Sequence, residues 1–134
     1  MEEQLISFDT AKLAKEKGYF ESPNKCYDPK CLDINHIYDW WTERFYSTPE
    51  RIQRLLLAPT QSLLQKWLRE VHKIEVFVKV FYSPQLNREG SFMYWGMYST
   101  KNCIGDCDKS TECKYKYEDA FEEALVLALN KITV

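Results

Sequence analysis

APTQSLLQKWLREVHKIEVFVKVFY, from Ala58 to Tyr82, decides the architecture of this chain. After Pro59, Leu63, Leu64, Trp67, Leu68 and Val71 recur at helical spacing, while Gln61, Gln65, Lys66, Arg69 and Glu70 fall largely outside that stripe. From Lys73 the period becomes two. Ile74, Val76, Val78, Val80 and Tyr82 point one way, and Glu75, Phe77, Lys79 and Phe81 the other. Branched side chains on the first face suit a pleated, buried surface. The stretch therefore predicts a helix over about 59–72 that hands over to a strand over about 73–82, with the helix stripe packed on the valine face.

Working outward, the turn-rich Ser83–Gly90 leads into FMYWGMYST, residues 92–100, which should pair with 73–82 as an antiparallel hairpin. A third strand is expected near 112–116. A last helix over about 118–132 carries Phe121, Ala124, Leu125, Ala128, Leu129 and Ile132 on one stripe. At the other end, Ser7 caps a helix over about 8–17, Ile6 is placed to staple onto Ala11, and Gly18 stands where a left-handed C-terminal residue belongs. Pro23, Asn24, Asp28 and Pro29 make residues 19–32 read as loop. Residues 33–46 match both a helical and an extended pattern, and Asp33 as a cap tips the reading to helix. Thr48-Pro49-Glu50 opens a further short helix with proline in its first turn. The expected fold is α+β: a small antiparallel sheet packed by the helices at 8–17, 59–72 and 118–132.

The chain has 134 residues, of which 45% are hydrophobic and 28% charged, with 4 Gly and 5 Pro. That length suits a single domain, 1–134, with a sizeable core and no disordered tract. There is no repeat and no linker. No apolar run approaches the ~18 residues of a membrane span. Glu2 and Glu3 at the start argue against a signal peptide, so a cytoplasmic location is expected.

A net charge of −2 argues against a general nucleic-acid binder. The charge is uneven. Arg51, Arg54, Lys66, Arg69 and Lys73 face only Glu50 and Glu70 across residues 48–73. The last helix carries Glu118, Asp119, Glu122 and Glu123 at its start and Lys131 near its end, as the helix dipole favours. Solvated helix faces explain both. If nucleic acid is touched at all, Lys66, Arg69 and Lys73 are the residues to do it.

Five cysteines, Cys26, Cys31, Cys103, Cys107 and Cys113, are an odd number for a secreted disulfide framework. Four thiolates would close a tetrahedral zinc site, with Cys103, Cys107 and Cys113 as its nucleus. Their loose spacing favours free thiols over the metal. A cysteine nucleophile needs a neighbouring base, and only His36 and His72 are on offer. His72 at a helix C-terminus is explained by the dipole. Asp33, His36 and Asp39 would share one helical face, but a surface histidine on a capped helix explains them better. No phosphate-binding glycine loop, nucleophile elbow, zinc-protease motif or pair of environmentally separated carboxylates occurs. The balance leans against an enzyme.

Aromatic side chains are the suggestive surplus: 4 Trp, 9 Tyr and 7 Phe. Phe77 and Phe81 lie opposite the valines, and Phe92, Tyr94 and Tyr98 alternate with Met93, Trp95 and Met97. Both hairpin faces are thus apolar, so either helices cover both or one meets a partner. Phe77, Phe81, Tyr94, Trp95 and Tyr98 are the candidate partner-binding residues. They suit a protein partner or a second copy; base stacking is the weaker alternative.

Three segments, ISFDTAKLAKEKG (6–18), APTQSLLQKWLRE (58–70) and YEDAFEEALVLAL (117–129), resemble a group of small proteins encoded by bacteriophages and prophages, especially of gut Bacteroidales. They keep their order and cover a little under a third of the chain. The resemblance implies a phage-borne protein acting in the bacterial host cytoplasm and carries no activity with it. The leading expectation is a non-catalytic interaction or accessory module. The alternatives are a zinc-stabilised module contacting nucleic acid and a minor cysteine-dependent enzyme.

Overall fold

A computed structural model describes residues 4–21, 24–83, 91–100, 109–110, 114 and 116–132. The architecture is α+β, with five helices and two small antiparallel sheets among these residues. The chain gathers into two compact units, Met1–Ser62 and Leu63–Thr133.

The N-terminal unit opens with α1 (Phe8–Glu16), capped by Ser7, whose Oγ accepts from the Thr10 amide. Ile6 and Ala11 are both buried, and Gly18 has φ +95°, as the staple and the left-handed stop require. Three short strands follow: β1 (Lys25–Tyr27), β2 (Tyr38–Asp39) and β3 (Leu56–Leu57), in the order β2-β1-β3. Cys26 pairs with Tyr38 on one side and Leu57 on the other. Residues 25–27 are thus strand, not loop. Their signal is three residues long and exists only because two distant segments supply its hydrogen bonds. The helix α1 lies beside β3 within this unit.

Residues 33–46 resolve into both of the patterns they carry. Tyr38 and Asp39 are strand, and α2 (Trp40–Tyr46) begins only after them. The cap is Asp39, accepting from the Thr42 amide at 3.1 Å, and not Asp33, whose carboxylate accepts from the Asn35 amide in a local turn. The short helix at Thr48-Pro49 is α3 (Pro49–Arg54), capped by Thr48.

The helix of the deciding stretch is α4 (Gln61–His72). Its buried residues are Gln61, Leu64, Trp67 and Leu68, whereas Leu63 and Val71 are exposed. The buried arc is therefore rotated from the one expected. The Gln61 backbone amide donates to the Gln4 carbonyl at 3.0 Å, which ties down the first turn of the helix. Lys73 ends the helix with φ +59°, and the Ile74 amide returns to the Leu68 carbonyl. A β-carbon is disfavoured in that left-handed conformation by about 1–2 kcal/mol, partly offset by the extra freedom of glycine in the unfolded chain. Lys73→Gly should therefore raise stability by about 0.5 kcal/mol in urea melts.

The C-terminal unit is built on β4 (Glu75–Ser83) and β5 (Ser91–Ser99), antiparallel in the register Val76↔Tyr98, Val78↔Gly96 and Val80↔Tyr94. The third strand is β6 (Lys109–Ser110), a few residues earlier than expected, and Lys114 forms an isolated bridge to Tyr94. The last helix, α5 (Tyr117–Lys131), buries Ala120, Phe121, Ala124, Leu125, Ala128 and Leu129. Its alanine row sits directly on Gly96: a Cβ there would lie 2.1 Å from the Ala120 carbonyl oxygen and 2.7 Å from the Ala124 Cβ. Helix and strand approach this closely because both surfaces lack bulk. Val76 is fully buried, yet Val80 is half-exposed, so the valine face is covered at one end only.

Candidate functional site

Among the described residues, the most unusual surface belongs to the N-terminal unit. No residue of α2 is buried. Trp41 is 44% exposed, Phe45 76% and Tyr46 87%. Just before the helix, Leu32, Ile34 and Ile37 are exposed as well. At about 100° per residue, Trp41 and Phe45 lie on the side of α2 opposite Glu43 and Ser47. The helix is held by its polar side and offers its aromatic side to solvent, the reverse of the usual amphipathic arrangement.

A charged brace does the holding. The carboxylate of Asp28, 5% exposed, accepts from Arg54 through two bonds of 3.0 and 3.1 Å and from Arg51 Nε at 3.1 Å. Arg51 also donates to Glu43 and, at 2.7 Å, to Ser47 Oγ, which itself donates to Glu43 at 2.6 Å. The Lys30 amide donates to Asp28 at 2.9 Å. The Arg54 hydrogen bonds, opposed by burial and aided by the Lys30 amide and Arg51, hold the Asp28 carboxyl down at about 2. The guanidinium of Arg51 also lies 5.1 Å from the Tyr38 ring centroid. One aspartate and one arginine thus bind β1, β2, α2 and α3 together. The arginines are paired with carboxylates, and the cluster ties the polar side of α2 to the end of β1 and to α3.

Two cysteines lie near it. Cys26 is buried, and desolvation pushes its thiol up to about 11. Cys31 Sγ accepts from the Tyr38 hydroxyl at 3.1 Å, and that bond raises the Tyr38 hydroxyl above its ordinary value. His36 packs edge-on against Tyr38, and His72 against Trp67. Asp33, His36 and Asp39 do not share a helix, because α2 starts after all three. Among the described residues no three His, Cys, Asp or Glu side chains are grouped to hold a metal. Cys103, Cys107 and Cys113 lie outside the described residues.

The hairpin residues expected to bind a partner are dispersed. Tyr98 is buried on the Gly96 face. Tyr94, on the same face, is half-buried and its ring meets Tyr117 of α5 edge-on at 5.8 Å. Phe77 and Trp95 are half-buried on the opposite face, and the side chain of Phe81 is outside the description. The hairpin instead exposes Tyr82 and Phe92, cross-strand neighbours with ring centroids 5.3 Å apart. Lys66, Arg69 and Lys73 are exposed on or just beyond α4. Arg69 pairs with Glu75 at 3.6 Å, and Lys73 Nζ donates to the Glu70 carbonyl at 3.0 Å. Both cations are partly satisfied within the chain.

Sequence reading did not single out Trp41 and Phe45 as a surface because aromatics four residues apart ordinarily signal core. The missing clue was Asp28 with Arg51 and Arg54, residues 23 and 26 positions apart that no local pattern joins. No helix among the described residues is long and apolar enough to cross a membrane. The chain matches no protein-family model, and no curated protein or solved structure shows significant similarity to it.

Proposed function

We propose that this protein is a non-catalytic interaction module whose docking surface for a protein partner is the aromatic side of α2. The observation that carries the reading is a helix with no buried residue that still presents Trp41, Phe45 and Tyr46 to solvent. Leaving a large side chain in water forgoes about 1.5–3 kcal/mol relative to burying it. Trp41 and Phe45 share one side of α2 with Tyr46 exposed beside them, association covers such side chains, and Trp, Tyr and Phe are enriched at the centres of interfaces. The brace on Asp28 supports the same reading, because a surface held rigid before binding loses less entropy on docking. The phage-type motifs suggest an accessory role in a bacterial host cytoplasm, which belongs to the same proposal.

The test is the triple variant Trp41→Ser, Phe45→Ser and Tyr46→Ser. Being substitutions of exposed side chains, these should each leave stability within about 0.5 kcal/mol. Light scattering over a concentration series and affinity capture from host lysate are then compared for native and variant chains. Self-association or retention of a defined host protein that the native chain shows and the folded variant lacks is expected. Identical behaviour of the two chains would remove the proposal.

A further inference from the structure

The N-terminal unit contains a cavity of about 270 Å³ walled by Phe20, Trp40, Ile52, Leu55 and Leu57, with Lys15 at its polar side. Two features set it apart from a packing defect. The first is Trp40, whose buried indole Nε1–H has no hydrogen-bond partner among the described residues. A buried donor left in that state is rare and destabilising, and an acceptor brought to it recovers the loss. The second is Lys15. Its ammonium donates to the Gln53 and Leu55 carbonyls, and an ammonium has three N–H bonds, so one remains to meet a ligand. Partial burial lowers the Lys15 pKa, a penalty that a bound anion would offset.

No carboxylate lines the cavity among the described residues. Tyr19, also in the wall, is held neutral: burial and then the charge of Glu21 raise its hydroxyl to about 12. The cavity offers one cation, Lys15, at a mostly apolar, partly open wall, and the unpartnered Trp40 donor is covered within that wall. A ligand that answers both has a single anionic head rich in acceptors and an apolar body. Size sets the rest, since a 150 Å³ cavity holds benzene and this one by proportion holds about ten heavy atoms. We propose that the cavity is a binding site for a small monocarboxylic acid with an aromatic or short aliphatic body. The carboxylate accepts from Lys15 and from the Trp40 indole, and the body packs on Ile52, Leu55 and Leu57. Because Nε1 is fully covered, the wall must give on entry. Phe20, 74% exposed, is the wall residue with most room to swing.

Phenylacetate is a suitable probe and phenylacetamide its neutral counterpart. Titration into the full ¹⁵N-labelled chain, followed by the indole N–H signals, should show saturable binding of phenylacetate. The dissociation constant should be roughly 0.1–1 mM, as the ligand efficiency of so small a molecule implies. One of the indole signals should move, and Trp40→Phe identifies it by its loss. Phenylacetamide should bind at least about tenfold more weakly, as should phenylacetate to Lys15→Met, the loss of one charge-assisted hydrogen bond. Should Lys15→Met fail to fold, the acid-to-amide ratio on the native chain decides alone. Absence of saturable binding, or equal affinity for acid and amide, overturns the proposal. This site does not depend on the α2 docking surface, and the triple serine variant should bind phenylacetate as the native chain does.

Discussion

Gly96→Ala should destabilise the C-terminal unit by about 3 kcal/mol, at the upper end of what overpacking costs. The added methyl would have to occupy space 2.1 Å from the carbonyl oxygen of Ala120 and 3.0 Å from its carbonyl carbon. Both are backbone atoms of α5, so no rotamer change relieves the clash. The helix must lift off the sheet, and Ala124, Leu125 and Ala128, all fully buried, would lose packing with it. A second substitution sharpens the test. Ala124→Gly removes the Cβ that would stand 2.7 Å away but leaves the Ala120 carbonyl where it is. The double variant should therefore recover little, less still because glycine costs about 1 kcal/mol in a helix interior. Urea melts of the native, single and double variants measure this directly. A single variant within about 0.5 kcal/mol of native would mean that α5 does not rest on Gly96.

Asp28→Asn carries the second large effect. Asparagine keeps the shape and removes the charge that Arg51 and Arg54 share. Removing one partner of a buried ion pair costs about 3–5 kcal/mol, because the remaining charge stays desolvated. Here the arginine side chains are 25% and 33% exposed, so solvent screens part of that loss. About 2 kcal/mol is the expected cost at neutral pH. The dependence on pH follows from the depressed carboxyl, about 2 in the fold against 3.8 ordinarily. A group whose folded pKa is lowered stabilises the fold fully above its unfolded value, and the contribution disappears as pH falls through the folded value. The gap between native and Asp28→Asn chains should then be constant above about pH 5 and close progressively between about pH 4 and pH 2. Comparing the two chains at each pH isolates Asp28 from the other carboxylates. Equal stability at pH 7 would show that the two arginines do not depend on it.

The same substitution bears on function. Asp28 and Glu43 share Arg51, so loosening that residue frees α2 from β1. In the docking mode we propose, partner binding through Trp41 and Phe45 should weaken in Asp28→Asn even though neither aromatic is touched. That separates the brace from the surface it presents: the serine substitutions delete the contacts, and the asparagine leaves them in place but unsupported.

Local chemistry alone determined much of this protein. The change of period at Lys73, the caps at Ser7 and Thr48, Pro49 in a first turn and the left-handed Gly18 all lie within a few residues of what they control, so each could be read directly from its neighbours. The tertiary structure decided what depends on distant partners. Strand β1 exists because β2 and β3 lend it hydrogen bonds, and α4, its first turn tied to the Gln4 carbonyl, buries Gln61 while Leu63 stays exposed. Trp41 and Phe45 carry the spacing of a core stripe, yet both face solvent, while Glu43 on the other side of α2 is tied through Arg51 to Asp28. Side-chain periodicity reports which residues share a face. Which face is buried is settled by long-range pairing, and a string of residues does not encode that pairing locally.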